Sequence, residues 1–203
     1  DDPALTPAEY SLREWHPLDG LPSEDVSRVL QGRDGFLWVL TVGGLVRFDG
    51  ARFESITPRD EHHQPLPLMR ALVETPEHGL VVAPNRGGLL ALRDGAWQPI
   101  TLPAEAATRT FTTIFAAPDG ALWAGCEDGT LLRTEAAGTR VFQTRDGLHG
   151  RAVFTFATDG SGRLWIANGI FLHRYEPGGL VAADLSFAGS ELRIGSSAGD
   201  GPW

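Results

Sequence analysis

The 203-residue chain predicts an all-β fold, a β-propeller of four-stranded antiparallel blades, on three observations. A short motif, Asp34-Gly35-Phe36-Leu37-Trp38, returns in altered form about every forty residues. Its glycine marker stands at 35, 79, 120, 162 and 201, giving steps of 44, 41, 42 and 39 residues. Four apolar stretches separated by glycine-bearing turns fill each period. That combination of period and strand number is the signature of a propeller blade, whose face is buried only against a neighbouring copy.

Within a period the elements read in order. A first strand precedes the marker, at 26–31, 69–74, 111–116, 152–157 and 191–197. The Asp-Gly or Ser-Gly step then suits a two-residue hairpin turn, because glycine accepts the positive φ that such a turn needs. The tryptophan strand follows, then a third strand at 44–48, 89–92, 130–133 and 171–175, and a fourth at 52–56, 96–100, 139–143 and 180–185. The resulting organisation is a leader at 1–9 and a partial propeller at 10–203. Its blades span about 19–56, 61–100, 103–143 and 146–185, with another beginning at 190–203. Residues 10–15 alternate as a strand and precede Asp19-Gly20-Leu21 as 141–144 precede Asp146-Gly147-Leu148, so they are expected to be the fourth strand of a further blade. Four units and parts of a fifth suggest an arc of a longer propeller, or one that closes with another chain. Only 104–108 is locally helix-friendly, and it is too short to nucleate alone.

Composition narrows the function. Glycine at 25 and proline at 14 fit a turn-rich β chain, and 42% apolar with 21% charged residues is that of a globular domain. The formal charge of -9 argues against nucleic acid and anionic membrane surfaces as partners. All 17 basic residues are arginine, from which no function follows. The single cysteine, Cys126, excludes an internal disulfide and a cysteine metal cluster, and a small buried thiol is its expected role.

The run Asp19-Gly20-Leu21-Pro22, then Asp34-Gly35-Phe36-Leu37-Trp38, then Gly44-Leu45-Val46-Arg47-Phe48-Asp49-Gly50-Ala51-Arg52-Phe53 resembles the two-component regulator propeller repeat. Asp146-Gly147-Leu148 with Leu164-Trp165-Ile166 matches it well. The second blade departs, with Val81 for the tryptophan and no Asp-Gly-Leu opener, and the third lacks the opener too. The resemblance implies a periplasmic ligand-sensing region of an inner-membrane receptor, a hybrid histidine kinase or diguanylate cyclase. It implies no catalysis within this segment. A propeller lyase or sialidase-like hydrolase, and a constitutive interaction scaffold, are the competing classes.

Chemistry-bearing motifs are sparse. Each Asp-Gly turn offers one or two oxygens where calcium needs six to eight, so Asp34, Asp119 and Asp200 read as hairpin residues. A sialidase would need an arginine cluster and a tyrosine nucleophile, whereas Tyr10 and Tyr175 both fall in predicted strands. The adjacent His62 and His63 point apart in an extended segment and make a poor chelate. No catalytic set, metal site or cofactor is therefore expected. Trp38, Trp123 and Trp165 are expected between blades, and Trp15 and Trp97 partly exposed. Position supplies the site expectation: the loops joining blade to blade and second to third strand share one face of a propeller. They offer Asn85, Arg86, Arg109, His149, Arg151 and Asn168 to a small polar or carboxylated ligand or an oligosaccharide. The expected protein partner is the remainder of the propeller or another copy of the chain, as in a homodimer.

Overall fold

The computed structural model describes residues 13–60, 62–66, 68–150 and 153–183. The leader, Arg151 and the fifth-blade segment at 190–203 lie outside them. Among the described residues sixteen strands form four antiparallel sheets, each a simple meander of four consecutive strands. Blade 1 holds β1 (Val26–Gln31), β2 (Leu37–Thr41), β3 (Gly44–Phe48) and β4 (Phe53–Ile56). Blade 2 holds β5 (Met69–Thr75), β6 (Gly79–Pro84), β7 (Leu90–Arg93) and β8 (Ala96–Pro99). A single helical turn, α1 (Ala104–Ala107), leads into blade 3 with β9 (Phe111–Ala116), β10 (Leu122–Cys126), β11 (Leu131–Glu135) and β12 (Gly138–Phe142). Blade 4 holds β13 (Val153–Thr158), β14 (Leu164–Asn168), β15 (Phe171–Glu176) and β16 (Gly179–Ala182). The first strands β1, β5, β9 and β13 lie side by side, each against the next, which makes the four blades an arc about a common axis. Helix α1 is held by packing rather than propensity, with Ala106 fully buried under blades 2 and 3.

The β1–β2 type turns carry three residues, not two. In blade 1 the Gly32 N–H donates to the Phe36 carbonyl and the Gly35 N–H to the Gly32 carbonyl, leaving Arg33-Asp34-Gly35 as the loop. Gly35 sits at φ 84°, so the positive φ expected of the glycine is present in a longer turn. Blade 3 repeats it with Pro118-Asp119-Gly120 and blade 4 with Gly160-Ser161-Gly162. In blade 4 the carboxylate has moved: Asp159 closes the loop instead of lying inside it, yet it still accepts from the Trp165 indole, as Asp34 does from Trp38. Strand register also corrects the repeat marker. Val81 pairs with Val73 as Trp38 does with Leu30, so the equivalent positions are 38, 81, 123 and 165, with even steps of 43, 42 and 42. His78, and not Gly79, takes the place of Gly35.

The opener motif has a physical form. Pro17–Asp19 and Thr144–Asp146 are single 3₁₀ turns that end on left-handed Gly20 and Gly147. Their aspartates accept from the backbone of His16 and Gln143, both at 2.9 Å, and the following Leu21 and Leu148 are buried. The strand expected at 10–15 is not seen where it can be checked: residues 13–16 form no strand. Instead Trp15 stands edge-on against Phe48 at 4.9 Å and Phe53 at 5.4 Å, held by rings rather than by a ladder.

The core is a series of inter-blade layers. Trp38 and Leu40 of blade 1 face Met69, Leu72 and Val82 of blade 2. Val81 and Ala83 face Phe111, Ile114 and Ala124. Trp123 and Phe142 face Phe156 and Ile166, with Tyr175 edge-on to Trp123 at 4.8 Å. Trp165 has the same register as Trp38 and Trp123 but is only half-buried, since it points away from blade 3. Trp15 and Trp97 are half-buried as expected. Each of the three motif tryptophans lies across the sheet from an arginine: Trp38 from Arg47, Trp123 from Arg133 and Trp165 from Arg174, with the guanidinium carbon 6.0, 5.9 and 5.8 Å from the ring centre. The arginine of the repeat is thus a cross-strand partner of the ring, tethered in turn by Glu54, Glu135 or Glu176.

Candidate functional site

One face collects the loops, and backbone hydrogen bonds tie them together. The second-to-third-strand loop of each of the first three blades bonds to the segment entering that blade: Val42 N–H to the Asp25 carbonyl, Asn85 N–H to Leu68 and Glu127 N–H to Thr110, at 2.9–3.1 Å. All four first strands carry a register shift at this end, between Val26 and Arg28, Met69 and Ala71, opposite Gly125 and Cys126, and between Val153 and Thr155. A bulge re-aims the extra side chain. In blade 2 that residue is Arg70, whose Nε donates to Asn85 Oδ1 at 2.8 Å.

The structure distributes the expected site residues over this face. Asn85 and Arg86 line one recess of about 540 Å³ together with Asp60, Gln64, Pro65, Leu66 and Leu68. Arg109 is committed to the protein, donating from Nε to the Glu105 carbonyl and pairing with Asp128, between two clefts of about 290 Å³ each. His149 lies against Phe171, ring centres 5.6 Å apart, and its backbone N–H donates to His173 Nε2 at 3.1 Å. Asn168 is fully buried, and neither polar atom of its carboxamide has a hydrogen-bond partner among the described residues. Gly150 covers it so closely that an added Cβ would stand 2.7 Å from both its carbonyl and its Oδ1. Arg151 lies outside the described residues.

The adjoining recess over blade 2, about 340 Å³, shares Asp60, Leu66 and Arg86 with the first and is otherwise floored by Leu89, Leu90, Ile100 and Leu102. Asp60 and Leu66 of the connection between blades 1 and 2 wall it, where an Arg59–Pro65 bridge turns the chain back. At its tip Asp60 Oδ1 accepts from the backbone of His62 and Gln64 at 2.9 and 2.8 Å. His62 and His63 are both exposed on this tip. Position alone gave Asn85 and Arg86; Asp60 and Arg70 were missed. Asp60 belongs to no motif in the sequence, and Arg70 is aimed at the face only because a bulge turns it there.

The groups whose ionisation is shifted are structural. Burial, opposed by Glu77 and reinforced by Arg93, pulls His78 below the usual imidazole range, and its Nδ1 lies 2.9 Å from Arg93 Nη2, which donates to it. Burial and the adjacent His149 do the same to His173. Burial pushes Cys126 up to about 12 against the pull of Arg109, which leaves an inert thiol. Burial also raises Asp119, but the Arg133 hydrogen bond and the Ala121 N–H outweigh it and the carboxyl lies below its ordinary value. The Trp165 indole, Arg163 and Ser161 hold Asp159 lower still. Among the described residues no group of three or more His, Cys, Asp or Glu is placed to hold a metal.

Meander sheets fanned about an axis define a β-propeller arc; four of its clefts lie on the loop-bearing face, and a fifth, of about 480 Å³, lies at the opposite end beside His78 and Arg93. No protein-family model matches the chain, and no curated protein sequence matches it. Solved structures do. Two structures of the extracellular domain of BT4673, a proposed one-component or hybrid two-component system from B. thetaiotaomicron, superpose with TM-scores of 0.65 and 0.66 at 13% and 14% identity. They cover 82% and 84% of this chain, which spans only 25% and 26% of theirs. Virginiamycin B lyase from Staphylococcus aureus superposes with a TM-score of 0.61 at 17% identity, over 83% of this chain and 59% of the lyase. At such identities the likeness establishes the fold. No described helix is long and apolar enough to cross a membrane.

Proposed function

We propose that this chain is part of a ligand-sensing propeller on the extracytoplasmic side of a signalling receptor, and that it performs no chemistry itself. The observation that carries the reading is the division of labour among its polar groups. Those with shifted ionisation are spent on turns and blade interfaces, His78 being held by Arg93 at the edge of a separate cleft of about 480 Å³, whereas the recess over blade 2 is bounded by Arg86, which has no ion-pair or hydrogen-bond partner among the described residues. Acid-base catalysis wants the opposite, a perturbed pair facing the cleft. The fold likeness to extracellular domains of proposed receptor systems supports the same reading. A signal would pass as a ligand-biased change in blade packing or in dimer geometry.

The similar superposition of virginiamycin B lyase supports an enzyme as the second reading. A thermal-shift screen against oligosaccharides and carboxylated metabolites separates them, with product analysis of every hit. A shift without turnover is expected. Turnover of a hit would make the chain an enzyme, and no shift from any ligand class would remove the sensor.

A further inference from the structure

We propose that the paired recesses over blade 2 form a site for a zwitterionic α-amino acid with an apolar side chain. The proposal rests on the sensor reading and narrows it to one place and one ligand class.

The charges at the junction of the two recesses set the class. Arg86 and Asp60 line both cavities, and they make no ion pair with each other. Asp60 Oδ1 is occupied by two backbone N–H groups, which fix the carboxylate and leave Oδ2 without a hydrogen-bond partner among the described residues. Arg86 therefore presents a free planar cation, and Asp60 a free anionic oxygen, to the same space. A simple carboxylic acid would satisfy Arg86 and be repelled by Asp60; a simple amine would do the reverse. A molecule that carries both charges on neighbouring atoms answers both. Its carboxylate takes the guanidinium fork, with the Asn85 amide N–H₂ beside it because Asn85 Oδ1 is already engaged by Arg70. Its ammonium goes to Asp60 Oδ2.

The apolar recess sets the side chain. Leu66, Leu89, Leu90, Ile100 and Leu102 floor it, and its volume of about 340 Å³ is that of a small-molecule pocket. Gly87 and Gly88 follow Arg86 at φ 41° and 74°, so the chain turns away there without a side chain over the opening. An oligosaccharide fits less well, because among the described residues no aromatic ring lines either recess to stack on a sugar face.

The test is calorimetric titration of the 203-residue chain with L-leucine and L-phenylalanine, beside 4-methylpentanoate, which lacks the ammonium, and isoamylamine, which lacks the carboxylate. One or both amino acids are expected to bind, and each truncated analogue at least tenfold more weakly. Arg86→Gln should weaken the amino acids at least tenfold and leave isoamylamine unchanged, the coupling expected of a direct contact. Its thermal midpoint should stay at that of the parent, since Arg86 supports nothing in the fold. Asp60→Asn keeps the turn acceptor and should bring L-leucine and 4-methylpentanoate to similar affinity. Absence of binding by both amino acids, equal binding of the deaminated acid to the parent chain, or indifference to Arg86→Gln would overturn the site. If a saccharide or another metabolite shifts the midpoint while the amino acids do not, the amino-acid site falls and the sensor reading stands.

Discussion

Blade 2 differs from the other three in what crosses its sheet. In blades 1, 3 and 4 an indole lies opposite a guanidinium, and the pair forms the forward face of the blade. In blade 2 the same two positions are Val81 and Ala91, and the layer toward blade 3 is filled instead by Phe111 and Ile114 from the receiving side. Its arginine contact lies at the turn instead, where Arg93 donates to the buried imidazole of His78. A blade layer therefore needs a volume filled, and either partner can supply the bulk. The blade with the small residues also carries the recesses that hold Arg86 and the open oxygen of Asp60.

The largest expected effect breaks that contrast directly. Trp123→Ala should cost about 3–5 kcal/mol in urea denaturation, because the ring is wholly enclosed between blades 3 and 4. Val81→Ala, equally buried, removes only two methyl groups and should cost about 2 kcal/mol. Equal losses would mean that the rings carry no special share of the packing. Next comes Gly150→Ala, expected to lower stability by about 1–3 kcal/mol through a left-handed φ of 102° and a Cβ driven against the Asn168 carbonyl. Gly35→Ala has the strained φ but open space around it, and about 1 kcal/mol is expected.

Titration gives a smaller effect. His78 and His173 have folded values below the ordinary 6.5, so the unfolded chain binds more protons. Their contribution is complete above that value and is lost as pH falls through it toward the folded values. The urea midpoint should drop from pH 7 to pH 5, and His78→Gln with His173→Gln should flatten that slope; a steeper slope in the double variant would reverse the sign argued for burial. The smallest change expected is Asp34→Ala, about 0.5–1 kcal/mol, for the exposed Phe36 N–H and the partly buried Trp38 indole that it leaves unmet.

How much was legible follows from how each feature is encoded. The blade motif was readable because it repeats: one weak hairpin pattern means little, while four at even spacing can only be equivalent units. The Asp-Gly turns were readable as turns, yet their length was not, since a glycine at positive φ suits two loop lengths and only the ladder register chooses. The loop face gave Asn85 and Arg86 from topology. Arg70 and Asp60 were invisible, because a bulge and a folded-back loop re-aim side chains without a mark in composition.

By itself, then, the sequence determined an all-β chain of repeating four-stranded units and the face on which its loops would gather, for local turn chemistry and alternation act over a few residues. Tertiary structure decided which charges remain free. Arg47, Arg133 and Arg174 are spent on rings and carboxylates that strand pairing brings within reach, whereas Arg86 is left unspent beside Asp60. Whether a guanidinium is a brace or a binding group depends on what lies within a few ångströms of it in space, and that distance is set by packing between segments remote in the chain.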